Sequence, residues 1–172
     1  MCLKGKSGAQ WELYNRFAPR MYTVSYRYAK NEADAKDILQ EAFIHVFNKL
    51  EKYNASGSLE GWIRRITVNC AIRHYERSVR KIDSGDIDHT QPKDVREDVL
   101  SAMTVNEIMA VINQLPDGYR VVFNMYAIEG YSHKEISDAL GISESSSRSQ
   151  LTRARKMIIE LLHSIENRTM AC

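Results

Sequence analysis

Two stretches of this 172-residue chain hold cations at a density suited to binding a polyanion. From Arg148 to Lys156 the sequence carries Arg148, Arg153, Arg155 and Lys156 with no acid between them, a formal +4. Around them lie Ser145, Ser146, Ser149, Gln150 and Thr152. Arginine pairs bidentately with guanine, glutamine with adenine, and serines at a helix start let backbone amides approach phosphate, so the mixture suits the major groove of DNA. Residues 62–81 carry Arg64, Arg65, Arg73, Arg77, Arg80 and Lys81 against Glu76 alone, a formal +5. Between the two, Asp83, Asp86, Asp88, Asp94, Glu97 and Asp98 outweigh Lys93 and Arg96, a formal −4 that offsets one patch, and the net charge of the whole chain is only +2. A low total therefore conceals two basic faces.

Chemistry of bond making is not indicated. The five histidines (45, 74, 89, 133 and 163) are scattered, no glycine-rich phosphate loop occurs, and no serine or cysteine sits in a nucleophile motif. Cys2, Cys70 and Cys172 form no C-x-x-C pair and have no histidine at zinc spacing, so the expectation is reduced thiols, no metal and no cofactor. No apolar run is long enough to span a bilayer and the start lacks the apolar core of a signal peptide, which predicts a cytoplasmic protein.

The elements that must position these residues read as helices throughout. Only 3 prolines and 8 glycines occur, while Leu, Ile, Ala, Arg, Lys and Glu abound. Apolar residues recur from Trp11 through Phe17 and Met21 to Tyr28, interrupted at Pro19, which fits two helices or one kinked helix. Asn31 can cap a second helix whose apolar stripe runs through Ala35, Ile38, Leu39, Ala42, Phe43, Val46 and Leu50. Turn formers at 51–58 break that pattern, and Ser58 can cap a third helix through Trp62, Ile63, Ile66, Cys70 and Ile72. Residues 82–100, acidic and poor in large apolar residues, read as a flexible linker. A helix over 99–115 stopped by Pro116 follows, then one over 120–130 ended by Gly130.

The last two helices form a helix-turn-helix. Ser132 and Glu135 make a capping box, Gly141 permits the bend, and Ser143 caps the final helix. Ile136, Ala139, Leu140 and Ile142 face Leu151, Ala154, Ile158 and Leu161 as an inner wedge, leaving the basic side outward. The fold expectation is all-α: an N-terminal helical bundle over 1–81, the linker over 82–100, a four-helix C-terminal domain with the helix-turn-helix over 101–165, and a tail over 166–172.

The residues from about Trp11 to Leu162 resemble the extracytoplasmic function (ECF) sigma factors of the sigma-70 family. Asp37, Gln40, Glu41 and Phe43 match the D-x-x-Q-E-x-F core of a helix that in this family binds polymerase. Trp62, Arg65, Ile66, Asn69 and Arg73 match the next helix, and LPDGYRVVF with YSHKEISDALGISESSSRSQLTRARKMI matches the promoter-reading domain. Lys36, Ser137, Ser145 and Ser147 depart from the pattern, Ser147 standing where a buried aliphatic residue is usual. The domain that separates the two in housekeeping sigma factors is missing, since so short a linker cannot fold alone.

The resemblance implies that Asp37, Gln40, Glu41 and Phe43 hold core RNA polymerase through the clamp helices of its largest subunit, with the flap as a further contact. It implies that Tyr53, Asn54, Ser58, Trp62, Arg65, Asn69 and Arg73 receive and separate the minus-ten strands. It implies that Ser145, Ser146, Arg148, Ser149, Gln150, Arg153 and Lys156 read the minus-thirty-five element. An anti-sigma factor is a further implied partner, no small-molecule substrate is, and the protein would work with polymerase at the nucleoid. Blander readings stand beside these: Asp37 and Glu41 as a solvated pair, Asn54 and Gly57 as a plain turn, Trp62 as a core residue. So do two rival functions, a helix-turn-helix regulator that binds duplex DNA without polymerase and a helical protein-interaction module.

Overall fold

The computed structural model describes residues 7–83 and 105–170, with side chains over 8–80 and 108–165. The linker proper and the first residues of the helix expected from 99 lie outside the described residues. Chain contacts divide the molecule into two units, Met1–Ile87 and Asp88–Cys172. All regular elements among the described residues are helical.

The first unit is a bundle of α1 (Ser7–Tyr28), α2 (Glu32–Lys49) and α3 (Leu59–Asp83), each packed on both others. Pro19 lies inside a single α1 rather than between two helices. It is exposed, so its ring faces solvent and its missing N–H leaves no buried carbonyl unpaired. Trp11, expected on the apolar stripe, is 70% exposed, and the buried stripe of α1 begins at Phe17. Asn31 caps α2 by accepting the Asp34 N–H at 2.8 Å. Met21, Ile38, Val46, Ile63 and Val68 fill the core. Two hydroxyls lie fully buried beside them, and each is satisfied one turn back: Ser25 Oγ donates to the Met21 carbonyl at 2.9 Å and Thr67 Oγ1 to the Ile63 carbonyl at 3.0 Å.

The second unit holds α4 (Val105–Asn113), α5 (Asp117–Phe123), α6 (His133–Leu140) and α7 (Glu144–Met170), with α4, α5 and α6 all packed on α7. The helix expected over 120–130 begins three residues earlier, at Asp117, directly after Pro116, and the Asp117 carboxylate favours its first turn. It ends in a π-helical turn, Asn124–Ile128, closed by the Glu129 N–H on the Asn124 carbonyl at 3.0 Å. Residues 166–170, expected as tail, continue α7. Val111, Val121, Val122, Met125, Ile136 and Ala154 form the core of this unit.

Candidate functional site

Helical periodicity sorts the four polymerase-binding candidates on α2 into different environments. Asp37 and Gln40 are exposed, one turn apart, with Ile44 continuing the same side at 55% exposure. Phe43 is 2% exposed and packs edge-on against Tyr14 at 4.7 Å, with Phe47 at 5.9 Å. It holds α2 on α1 and offers no surface to a partner, which corrects its inclusion among contact residues. Glu41 is half-buried and turned toward α3: its carboxylate accepts from Arg77 Nη2 at 2.6 Å and lies 3.7 Å from Arg73 Nη2 and 3.7 Å from His45 Nε2.

The loop before α3 is built by its own side chains. Tyr53 lies 5.5 Å from Trp62, ring to ring, and its hydroxyl donates to the Gly57 carbonyl at 2.5 Å. Asn54 Oδ1 accepts the Ser56 N–H at 3.2 Å across Ala55, whose φ of 57° is left-handed. Ser58 Oγ accepts the Gly61 N–H at 3.0 Å and caps α3. The turn role of Asn54 and the capping role of Ser58 are therefore real, while Trp62 is half-buried, with Tyr53 against it. A two-ring platform beside a polar turn suits a stacked, extruded base.

Along α3, Arg65, Asn69, Arg73 and Arg77 follow at four-residue steps and are all exposed. Arg73 Nη2 also donates to Cys70 Sγ at 3.1 Å, and Arg77 Nε to the Arg73 carbonyl at 3.3 Å. Glu41 thus offsets part of the basic patch, a pairing that the charge count along α3 alone had no means of revealing. The pair is more than half exposed on the arginine side, so it is worth at most about 1 kcal/mol and a phosphate can displace it.

In the second unit the helix-turn-helix is assembled as its residue types require. The Ser132 N–H donates to Glu135 Oε2 at 2.8 Å while the Glu135 N–H donates to Ser132 Oγ at 3.2 Å. Gly141 closes α6 at φ 65°, with the Ile142 N–H on the Ser137 carbonyl at 3.3 Å. Ser143 Oγ accepts the Ser146 N–H at 3.1 Å to start α7 and lies 2.9 Å from the hydroxyls of both Ser145 and Ser146. Ser145, Arg148, Ser149, Thr152, Arg153 and Lys156 are exposed, and Ser146 and Gln150 half-buried. Arg148 is ion-paired with Glu144, Arg153 donates to the Tyr119 hydroxyl at 3.3 Å, and Lys156 lies 3.8 Å from Glu160.

Ser147 is fully buried, as the aliphatic residue usual there would be. Its hydroxyl meets His133 Nδ1 at 2.9 Å, which ties the start of α6 to α7. His133 also stacks on Tyr126 at 4.5 Å, and Arg155 lies 5.8 Å from the centre of the Tyr126 ring. No local pattern pairs residues 133 and 147; only the hairpin brings them together. Burial first, then the neighbouring Arg148 charge, holds the His133 imidazole below the ordinary histidine value. The neutral form is therefore favoured by folding. Its contribution to stability is present above the unfolded value, near 6.5, and is lost as pH falls through the lower folded one. Thermal unfolding of the second unit is expected to come at lower temperature as pH drops below about 6.5, and His133→Gln is expected to flatten that dependence. An unchanged pH slope in the variant would refute this assignment.

Comparison with known proteins matches residues 13–81 to sigma-70 region 2 and residues 106–158 to sigma-70 region 4. The chain is 32% identical over 162 residues to the ECF RNA polymerase sigma factor SigE of Mycolicibacterium smegmatis, covering 90% of this chain and 63% of that protein. It is 26% identical over 169 residues to the RNA polymerase sigma factor NccH of Alcaligenes xylosoxydans xylosoxydans, covering 94% of this chain and 90% of that one. Among solved structures, a sigma factor RpoE crystallised with the anti-sigma factor NepR from Bartonella quintana aligns over 88% of this chain and 95% of its own at 16% identity and a TM-score of 0.59, a likeness of fold.

Proposed function

Because the chain belongs to the sigma-70 family of RNA polymerase sigma factors, in its short ECF form with regions 2 and 4, we propose that it binds core polymerase through α2, opens promoter DNA with the loop and α3, and reads the upstream element with α7. This is a family of recognition factors and not an enzyme class; polymerase supplies the chemistry. None of the described helices is long and apolar enough to cross a membrane.

The observation that carries this reading is the coexistence in one chain of two differently equipped surfaces. The first unit offers Asp37 and Gln40 on α2, and the Tyr53–Trp62 platform with the exposed Arg65 and Asn69. Carboxylates and amides suit arginine and backbone groups of a protein partner, and the rings with the cations suit a melted strand. The second unit offers a capped helix-turn-helix with Arg148, Ser149 and Gln150 at the start of α7. A duplex-binding regulator has no use for the first surface. Association with an anti-sigma factor forms part of the same proposal, since the structural relative was crystallised with one.

Run-off transcription with core polymerase tests the reading: promoter-dependent transcripts are expected, and absence of both transcript and core binding would overturn it. Within that assay Arg148→Ala is expected to cost about 1–3 kcal/mol and to relax preference at one base pair of the minus-thirty-five element. A uniform loss on every promoter variant would instead mark Arg148 as a phosphate contact.

A further inference from the structure

Three side chains of different donor type meet where α2 crosses α3. Glu41 and His45 lie one turn apart on one face of α2, and Cys70 comes from α3; one ligand atom from each lies within 4.8 Å of the others. Among the described residues this is the one such group of His, Cys, Asp and Glu. Cys70 is fully buried, whereas Glu41 and His45 keep 30% and 33% of their side chains exposed, so the cluster has a dry floor and an open mouth.

We propose that Glu41, His45 and Cys70 form a site for a divalent transition ion of the zinc class. A thiolate, an imidazole and a carboxylate together favour zinc or cobalt over magnesium or calcium, which take oxygen ligands. Zinc–ligand bonds of about 2.0–2.3 Å place tetrahedral ligand atoms roughly 3.3–3.8 Å apart. Glu41 Oε1 and His45 Nε2 already stand 3.7 Å apart, and Cys70 has only a small side-chain shift to make. Three protein ligands leave the fourth position to water. Two residues of one helix facing a third on its neighbour is a bundle-type arrangement.

The site's second feature is the cation it holds now. Arg73 Nη2 lies 3.1 Å from Cys70 Sγ and 3.7 Å from Glu41 Oε1, so one guanidinium group bridges two of the three ligands. Arg77 occupies the other carboxylate oxygen at 2.6 Å. Arg73 and Arg77 are 46% and 56% exposed at the side chain and can swing outward. Ion binding replaces them: Cys70 gives its proton to solvent, the thiolate and Glu41 neutralise the metal, and both arginines are released from their anion. The ion would therefore raise the positive charge that α3 presents.

The test is cobalt(II) titration of the full chain carrying Cys2→Ser and Cys172→Ser, so that Cys70 is the only thiol. A saturable one-to-one thiolate-to-cobalt charge-transfer band in the near ultraviolet is expected, abolished by Cys70→Ala and displaced by zinc. His45→Ala, at a position whose side chain is 33% exposed, is expected to weaken cobalt binding at least tenfold, and Glu41→Gln likewise. Absence of the band at stoichiometric cobalt overturns the proposal. So does a band of unchanged affinity in both His45→Ala and Glu41→Gln, which would mean that a thiol alone captures the ion.

Discussion

With Asp37→Ala and Gln40→Ala together, affinity for core RNA polymerase is expected to fall by about 30-fold or more, while the thermal unfolding of the protein stays within a degree or two of the parent. Both side chains are exposed on α2, and alanine is the strongest helix former, so the fold has little to lose. Central polar contacts of a protein interface are each worth up to 2 kcal/mol or more, which sets the size of the drop. Phe43→Ala is the contrasting case. Its ring is buried against Tyr14, and its removal costs stability on the order of 3–5 kcal/mol before any question of binding arises. Anisotropy with labelled protein and core enzyme, run beside thermal melts, separates the two. Unchanged affinity in the double variant would remove α2's outer face from the interface.

Arg120→Ala is expected to destabilise the second unit by about 3 kcal/mol. Arg120 is 4% exposed, pairs with Asp117 Oδ1 at 2.8 Å and donates to the Asn113 carbonyl at 3.3 Å. One guanidinium group thereby joins the end of α4 to the start of α5. Without it, a carbonyl and a partly buried carboxylate lose a charged partner. Domains of this size hold only about 5–15 kcal/mol in total, so the loss is a large share of the whole. Denaturant unfolding of the variant measures it, and a change under about 1 kcal/mol would show that the pair is dispensable. Weaker promoter binding should accompany the loss, because α4 and α5 both pack on α7, the helix proposed to read the upstream element.

Much of this was readable along the chain wherever the governing interaction is local. Asn31, Ser58, Ser132 with Glu135, Gly141 and Ser143 act within about one turn of their own position, and each is found in the role its residue type predicts. The buried stripe of α2 follows from a 3.6-residue period for the same reason. Trp11 misled because an apolar residue at a helical step need not be covered, and it is 70% exposed. The π-helical turn at Asn124–Ile128 has no signature in composition, since the same residue types continue an ordinary helix.

By itself the sequence determined that the chain is helical, where the helices with side-chain caps begin, and which motifs stand in which order. Those are short-range matters of propensity, capping and periodicity. Only the tertiary structure decided that Glu41 faces Arg73 and Arg77, that Ser147 is satisfied by His133, and that Cys70 lies beside Glu41 and His45. Each of these joins residues on different helices, separated by 14 to 36 positions. Their meeting depends on the crossing and rotation of whole helices, set by packing of the entire core, which no local pattern encodes.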